Sequence, residues 1–535
     1  MYTLVGFGDI MRKKGGSVMD KFAVQALEEY NSDTKTVRRG GFGRPFWNIH
    51  SSQFMFVPEL QFPIIPGAVK YVYTAVDSNG DAHTFESKSS SAELTPIWKD
   101  IAPGMVELKV EAIHQIDDKK YLAGARTFCK MEPFPGREDL PAKACSYKEC
   151  AIDAFRFVFN DETNQYWLEK GMPKPDYYHN VYPSKTYSSV INAMVTYAEL
   201  EPENAEKALK IATNIADYLM SITYGEDSAL AGLPPTYSFK DIDAELATKI
   251  APSAAERRDM LMVIYPASVG CAYLTLEKAT GDKKYYDAAM KIANFYKETV
   301  LDNGSWYLML SAITGKAEAQ NCCGEFGILD FLIRVYERTG DECWHKLERN
   351  YFEYIKETRL ETYNWEGQFE DTKLAANYNN LTHFAAGRMA MYFAQNYSSD
   401  ADKMEIAAEL VRYVEDQFVV WGEFSPMKRY NTPGQHWYSP AGLEQYEWYV
   451  PIDGSTASIA KVFLTMYDAT GDELYREKAY ALGDSITRMQ NKETGIIPTH
   501  WFDTNCSTEI RLFWMNCHIG TAFVMLELSK ANNEI

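Results

Sequence analysis

The stretch NCCGEFGILDFLIRVYERTGDECWHKLERNYFEYI, residues 321–355, decides the fold because it contains a complete helical hairpin. Residues 324–338 are apolar on nearly every side, which is typical of a buried helix. Residues 339–341, Thr-Gly-Asp, predict a tight turn, since glycine suits the position after a helix and aspartate suits the cap of the next. Residues 342–355 are apolar on one face only, so an amphipathic helix is expected to follow.

This hairpin recurs along the chain with a regular spacing. Asp282, Asp341 and Asp400 follow one another at intervals of 59 residues. A fixed period of this size indicates a repeat of one supersecondary unit. The turns lie at residues 201–203, 280–282, 339–341, 398–400 and 470–472.

The repeat predicts two rings of helices. The inner, buried helices are expected at residues 184–200, 262–279, 324–338, 380–396, 453–469 and 514–529. The outer, amphipathic helices are expected at residues 147–159, 203–221, 283–299, 342–357, 401–420 and 473–488. Six inner and six outer helices make an (α/α)6 toroid, which we assign to residues 147–535.

The N-terminal part of the chain has a different pattern. Residues 1–45 look polar and irregular, so an irregular segment is predicted there. Residues 46–135 contain several short runs that alternate with period two, and Asn79 and Gly80 form a hairpin signal between two of them. This region is predicted to be a small β-sandwich that buttresses the toroid, with a binding module as the alternative. A proline-rich linker, residues 133–144, follows.

Composition excludes several classes of protein. The net charge of −20 argues against nucleic-acid binding, which needs a basic surface. We find neither an apolar run of the roughly 18–20 residues that cross a bilayer nor an N-terminal signal pattern, and therefore predict a cytoplasmic protein that does not contact a membrane. Nine scattered cysteines, an odd number, favour reduced thiols over a disulfide framework.

Loop lengths predict where the functional site lies. Turns from an inner to an outer helix are about three residues long, whereas the loops that lead back run over residues 222–261, 300–323, 358–379, 421–452 and 489–513. Long loops on a rigid scaffold are where function concentrates. All five precede inner helices, so six helix amino ends should converge on one mouth that favours an anion such as a carboxylate.

The mouth loops are rich in tryptophan and in carboxylates. Eight of the eleven tryptophans lie between Trp306 and Trp514, and seven of these lie in or beside the loops. Aromatic faces stack on the apolar C–H faces of sugar rings. Two carboxyl groups with different pKa values are what a glycosidase needs, one as the acid and one as the base or nucleophile.

The hairpin series and this mouth resemble the six-hairpin glycosidase superfamily. The architecture over residues 147–530 is most similar to bacterial unsaturated glucuronyl hydrolases and beta-glucuronidases. Residues 46–135 resemble fibronectin type III-like modules appended to bacterial carbohydrate-active enzymes. The resemblance implies a glycosidase that acts on a uronic acid; it is one of architecture, so no catalytic residue is transferred from it.

Four residues are predicted to be catalytic. Glu366 and Asp371 lie in one loop together with Glu370, and one of these carboxyl groups is expected to be the general acid or base; helix capping is the structural alternative. Glu366 follows a tryptophan and is therefore the best-shielded of them. Asp453 opens the fifth inner helix and could serve as the second carboxylate or merely as a cap. His383, early in the fourth inner helix, is either a catalytic group or a core histidine.

Six further residues make up the predicted substrate-binding set. Aromatic rings would stack on the sugar, whereas Glu447 competes with Glu444 and Asp453 for the role of second carboxylate. Glu325, in the first turn of an inner helix, has a structural alternative because the helix dipole favours its charged form. The set is Tyr265, Trp306, Glu325, Trp437, Glu447 and Trp514.

No metal or other cofactor is predicted. Cys322, Cys323, Cys506, Cys517 and His518 could meet in space, but their spacing lacks the CxxC pattern typical of a zinc site.

The sequence therefore predicts a glycoside hydrolase that acts on small acidic oligosaccharides containing a uronic acid, by carboxylate acid–base catalysis. A first alternative is a polysaccharide lyase or sugar epimerase that uses a histidine and a tyrosine, His383 or His179 with Tyr178 or Tyr265. A second is a non-catalytic carbohydrate-binding toroid. A homo-oligomer is compatible with the sequence.

Overall fold

The computed structural model describes residues 20–32, 34–38, 46–115, 119–370, 378–422, 438–501 and 513–534. Within these ranges, twelve long helices follow one another in the predicted order. The outer helices are α1 (Tyr147–Asn160), α3 (Ala205–Ile222), α5 (Lys283–Thr299), α7 (Glu342–Ile355), α9 (Ala401–Phe418) and α11 (Glu473–Met489). The inner helices are α2 (Pro183–Leu200), α4 (Ile264–Thr280), α6 (Phe326–Thr339), α8 (Phe384–Asn396), α10 (Asp453–Thr470) and α12 (Met515–Ala531).

The inner helices form a closed ring. Each packs against its outer partner, and α12 packs against both α1 and α2, which joins the end of the chain to its first hairpin. Neighbouring inner helices also touch, and between α6 and α8 the Arg388 guanidinium binds the Asp330 carboxylate. The prediction of an (α/α)6 toroid is confirmed.

The Thr-Gly-Asp turns have the predicted geometry. Gly281, Gly340 and Gly471 adopt φ values of +71°, +67° and +71°, a left-handed conformation that side-chain-bearing residues rarely adopt. The aspartate after each glycine caps the next helix; the Asp341 carboxylate, for example, accepts the Cys343 N–H at 3.0 Å. The chain thus reverses within two residues at this end of the ring.

Seven short strands of the described chain lie before the toroid in two sheets. The larger sheet has the order β1-β7-β6-β3-β4, with β1 parallel to β7 and the other pairs antiparallel, and β2 and β5 form a separate antiparallel ribbon. One face of β6 is buried and the other exposed, as its alternating sequence predicts. The strands are β1 (Gln53–Phe54), β2 (Glu59–Gln61), β3 (Ala68–Val76), β4 (Ala82–Ser87), β5 (Ser91–Glu93), β6 (Gly104–His114) and β7 (Lys120–Lys130).

The N-terminal segment differs from its prediction. Residues 1–45 were expected to be irregular, yet Lys21–Tyr30 is an α-helix. Asp20 caps it by accepting the Phe22 N–H at 3.2 Å, and Ala23, Ala26 and Tyr30 are buried. The helix packs against α11, and this tertiary contact stabilises a helix of only ten residues.

The β-strands and the toroid share one hydrophobic core, which extends from Ala26 to Leu528. The junction is polar as well as apolar. The Asp416 carboxylate near the end of α9 accepts the backbone N–H groups of Met55 and Phe56, and Gln53 and Gln417 exchange side-chain bonds to each other's carbonyl groups. These contacts fit the predicted buttressing role. None of the described helices has the length and apolarity needed to cross a membrane.

Candidate active site

The site lies where the inner helices begin. Loops of up to about forty residues lead from each outer helix to the next inner helix, whereas the reverse connections are two to four residues long. Inner helices run parallel to one another because each is followed by an antiparallel outer helix. Their amino ends, and the long loops before them, therefore lie at one end of the ring.

Glu370 is the centre of one charged cluster at this end. Its side chain is 1% exposed; Lys185, in the first turn of α2, donates from Nζ to one carboxylate oxygen, and the Tyr265 hydroxyl at the start of α4 donates to the other. The Glu370 backbone carbonyl accepts bonds from the Tyr237 hydroxyl at 2.8 Å and from the Arg257 guanidinium. Two inner-helix ends thus bind the buried carboxylate, and the loop before α4 holds the backbone of the same residue.

Asp453, the first residue of α10, is the second carboxyl group of interest. It is fully buried, its Oδ2 accepts the Thr521 hydroxyl at 3.1 Å, and its Oδ1 has no hydrogen-bond partner among the described residues. Burial raises the pKa of the Asp453 carboxyl well above its usual range, and the nearby negative charge of Glu444 adds to this, against the opposing effects of Thr521 and the Gly454 N–H.

An aromatic group lies beside Lys185. The Lys185 ammonium sits 4.4 Å from the centroid of the Trp514 ring, which is partly exposed. His179 stacks on the same indole, with ring centroids 3.9 Å apart, and its Nε2 is buried without a partner among the described residues. Burial and the Lys185 charge hold the pKa of His179 well below its ordinary value, so the imidazole is neutral.

The two carboxyl groups share one environment around Cys517, the third residue of α12. Burial raises the pKa of the Cys517 thiol, and the charges of Asp453, Glu444 and Glu370 raise it further, whereas Lys185 lowers it. All four groups act on this one thiol because they converge on it from two inner-helix ends, those of Lys185 and Asp453, and from the loops of Glu370 and Glu444. The cluster therefore contains one carboxylate that is ion-paired, Glu370, and one buried carboxyl group whose pKa is raised, Asp453.

Two predicted catalytic residues lie apart from this cluster. Glu366 is buried and satisfied locally, because its carboxylate accepts the Asn379 N–H at 2.9 Å. His383 is fully buried beside the rings of Phe384 and Phe418, and burial lowers its pKa to about 3. Neither ring nitrogen of His383 has a hydrogen-bond partner among the described residues, and the roles of both residues stay predictions. Asp371, the remaining predicted acid, lies outside the described residues.

The predicted binding residues are divided in the same way. Tyr265 and Trp514 belong to the cluster. Trp306 is 2% exposed and donates its indole N–H to the Tyr296 carbonyl at 2.9 Å, so no ring face is open to a sugar. Glu447 is exposed, and within the described part of the chain only its backbone N–H is engaged, by the Asn380 side chain. Trp437 lies outside the described residues.

Glu325 forms a separate acidic position at the start of α6. Its carboxylate lies 3.7 Å from the Arg359 guanidinium, and burial raises its pKa to about 7 although Arg359 opposes the rise. Its ion pair is with Arg359, and among the described residues it contacts neither Lys185 nor Asp453. We therefore do not place it in the cluster.

Sequence patterns alone missed Lys185 and Arg257. The sequence did contain a signal for Lys185. It is a lysine in the first turn of a largely apolar helix, where a charged side chain has no solvated helix face and must find a partner. Tryptophan content was a weaker guide than expected: the loop residues Trp306, Trp365, Trp421 and Trp501 are all buried. In the described part of the chain, no three His, Cys, Asp or Glu side chains form a group able to hold a metal ion.

No family model matches the chain, and no curated protein matches it significantly. Among solved structures, it is similar to a family 76 glycoside hydrolase from a bovine Bacteroides thetaiotaomicron strain, at 8% identity and a TM-score of 0.40, over 89% of this chain and 99% of that one. It is also similar to the cellobiose 2-epimerase from Spirochaeta thermophila, at 10% identity and a TM-score of 0.45, over 71% and 98% of the two chains.

A third similar structure is an unsaturated glucuronyl hydrolase from Streptococcus agalactiae, at 10% identity and a TM-score of 0.43, over 72% of this chain and 92% of that one. Similarity at this level concerns the arrangement of helices. The resemblance to six-hairpin toroid proteins that the sequence indicated is thus one of fold, and the twelve helices described above establish that fold in this chain.

Proposed function

We propose that this protein is a glycoside hydrolase that cleaves oligosaccharides containing a uronic acid by general acid–base catalysis. The observation that carries the proposal is the contrast between Asp453 and Glu370 in one cluster: the first is fully buried without a charged partner and has a raised pKa, whereas the second is ion-paired with Lys185. Glycosidic bond cleavage uses two carboxyl groups in different environments, one as the acid and one as the base.

The roles follow from the protonation states. Asp453 donates its proton to the glycosidic oxygen as the bond between that oxygen and the anomeric carbon breaks. Glu370 accepts a proton from the water that attacks this carbon. The assignment reverses the sequence hypothesis for Asp453, which had placed it as the base. Because Asp453 has no exposed surface, substrate entry includes a local rearrangement that uncovers it.

The proposed preference for an acidic sugar rests on the positively charged groups at the mouth. Lys185 and Arg257 both lie at the mouth, and the amino ends of the inner helices add partial positive charge. The partly exposed Trp514 lies beside Lys185, so an acidic sugar bound against its exposed part would bring its carboxylate close to the ammonium group. The proposed reaction needs only water and the two carboxyl groups, and no cofactor.

The test compares leaving groups. Wild-type protein is assayed against 4-nitrophenyl glycosides and unsaturated uronyl disaccharides, together with Asp453→Asn, Glu370→Gln and the exposed control Glu447→Gln. A 4-nitrophenolate leaves without help from an acid, so Asp453→Asn should lose roughly 10²–10⁴-fold in kcat on disaccharides but far less on the nitrophenyl compounds. Glu370→Gln should lose activity on both, and Glu447→Gln on neither.

Asp453→Asn is a suitable variant because an amide replaces a carboxyl group that is already neutral. It should retain the wild-type unfolding midpoint, which separates loss of chemistry from loss of fold. Equal losses of Asp453→Asn on the two substrate types would contradict its role as the acid. If the wild type cleaves nothing in the panel, the hydrolase proposal is wrong.

His179 favours a second candidate, a lyase or epimerase that removes a proton next to a sugar carboxylate. Its neutral imidazole, with Nε2 unpartnered among the described residues, is suited to act as a base beside Trp514. Incubation with uronic acid-containing oligosaccharides in D₂O would then incorporate deuterium into the sugar or produce the ultraviolet absorbance of a conjugated alkene. His179→Ala should abolish either signal.

A further inference from the structure

We propose that Cys145 and Cys150 are an oxidant-reactive pair of thiols, which a peroxide converts into a disulfide bond. Both are free cysteines in the structure. Cys145 directly follows the proline-rich linker, residues 133–144, and Cys150 is the fourth residue of α1. The bond therefore fastens the linker to the first helix of the toroid, at a place that shares no residue with the cluster around Glu370.

The amino-terminal cap of α1 brings the two side chains together. Ser146 is the N-cap and forms a capping box with Glu149. The Ser146 hydroxyl accepts the Glu149 N–H at 3.2 Å, and the Glu149 carboxylate accepts the Ser146 N–H at 3.0 Å. In this motif the residue before the cap commonly packs against the fourth residue of the helix. Those two positions are occupied by Cys145 and Cys150.

The side chains of this pair are in contact. Cys145 packs against the hydrophobic core to which the fully buried Cys150 belongs, and the two thiols are hydrogen-bonded to each other. Two apolar side chains usually fill these positions and serve only to pack. Cysteine at both positions adds a reaction, because a disulfide bond requires two cysteine side chains that already lie close together.

The surroundings make the two thiols unequal. The hydrogen bond with Cys150 lowers the pKa of Cys145, and the positive charge of Lys492 adds to this, against partial burial and the nearby carboxylates. Cys145 is also partly exposed, whereas burial raises the pKa of Cys150 well above its usual range. An accessible, readily ionised thiol beside a second thiol is the arrangement that oxidants attack first.

The reaction balances with hydrogen peroxide as the oxidant. The Cys145 sulfur attacks one peroxide oxygen, the O–O bond breaks, and a sulfenic acid and one water molecule form. The Cys150 sulfur then attacks the Cys145 sulfur. The S–S bond forms, the S–O bond breaks, and the hydroxyl group leaves as water with the Cys150 proton. The two thiols lose two electrons in all, and one peroxide molecule is reduced to two water molecules.

Peptide mapping of the oxidised full-length protein tests the proposal. The protein is treated with hydrogen peroxide under native conditions, its remaining thiols are alkylated after denaturation, and trypsin is added. Trypsin cleaves after Lys148, between the two cysteines, so the bond joins peptides 144–148 and 149–156 until it is reduced. We expect this joined pair in most wild-type molecules and in none of Cys145→Ser. In Cys150→Ser, Cys145 should accumulate as a sulfenic acid that dimedone traps.

Cys343 provides a matched control. It is also partly exposed and lies in the first turn of a helix, α7. Burial raises the pKa of its thiol, and a hydrogen bond with the Asp341 carboxylate raises it further. Cys343 should therefore react with peroxide several-fold more slowly than Cys145. The variant Cys343→Ser should form the bond between Cys145 and Cys150 as readily as the wild type.

Two results would overturn the inference. One is a wild type in which both Cys145 and Cys150 can still be alkylated at peroxide concentrations that oxidise Cys343. The other is a wild type in which Cys145 ends as a sulfenic or sulfinic acid although Cys150 is present, because the two sulfur atoms then do not meet.

Discussion

At the scale of single residues, the pairing of Lys185 with Glu370 shows what a sequence does not reveal. A lysine and a glutamate 185 positions apart carry no local signal of their contact. The sequence around Glu370 did predict that one carboxyl group of this loop is functional. Tertiary structure distinguishes the two glutamates of this loop. Glu370 pairs with a cation, whereas Glu366 accepts backbone and amide donors.

Loss of the cation should destabilise the fold because Glu370 is buried. Lys185→Met is expected to cost about 2–4 kcal/mol, measured as a shift in the guanidinium chloride unfolding midpoint, since it leaves a buried charge without its main partner. Lys185→Met combined with Glu370→Gln should recover much of that loss. A double variant as unstable as the sum of the singles would contradict the pairing.

Lys174 offers a matched control for this experiment. Its side chain is 22% exposed, close to the 21% of Lys185, but its partner Glu162 is 72% exposed. Lys174→Met should therefore change stability by less than about 1 kcal/mol, because ion pairs between solvated groups contribute little.

At the scale of secondary-structure elements, the helices were predictable because their signals are local. A stretch of about thirty-five residues, such as residues 321–355, contains both signals: a helix that is apolar on all sides and a Thr-Gly-Asp turn. The helix Lys21–Tyr30 has no comparable signal and depends on its contact with α11. Buried tryptophans were mistaken for mouth residues because loop position in the sequence does not specify the direction of a side chain.

The junction between the strands and α9 should be sensitive to pH through Asp416. Burial raises the pKa of Asp416 from 3.8 to about 7, although it accepts bonds from Phe56 and Met55. A carboxyl group with a raised folded-state pKa contributes stability that is complete below about pH 4 and is lost as the pH rises through about 7.

Asp416→Asn should remove this dependence, since an amide oxygen can still accept the two backbone N–H groups. The difference in unfolding midpoint, wild type minus variant, should fall between pH 5 and pH 8. The exposed Glu405→Gln on the same helix serves as control and should show no such trend. A wild-type-minus-variant difference that is constant or rises over this range would contradict the assignment.

At the scale of the whole molecule, the shared core implies that the strands and the toroid unfold together. The sequence pattern divided residues 46–135 from residues 147–535, and this division into domains stays a prediction. The sequence pattern could not show that side chains of both regions form one continuous apolar cluster, because contacts between distant segments produce no periodic pattern in the sequence.

Calorimetry should therefore give one unfolding transition for the full chain. A shortened chain that begins at Ser146 should unfold at a lower temperature, because it exposes Tyr363 and Tyr413, on which Trp47 packs. Two well-separated transitions in the full chain would contradict this expectation and would indicate independent units.

The two-residue reversals at Gly281, Gly340 and Gly471 have a practical consequence. The connections at the end of the ring opposite the mouth are short and regular, and they contain none of the cluster residues. A chemical handle introduced beside one of these reversals, for instance a biotinylated cysteine at the exposed Asp282, would anchor the protein to a bead or sensor chip with its opening turned towards the flowing solution. Such an oriented surface is well suited to screening soluble glycans.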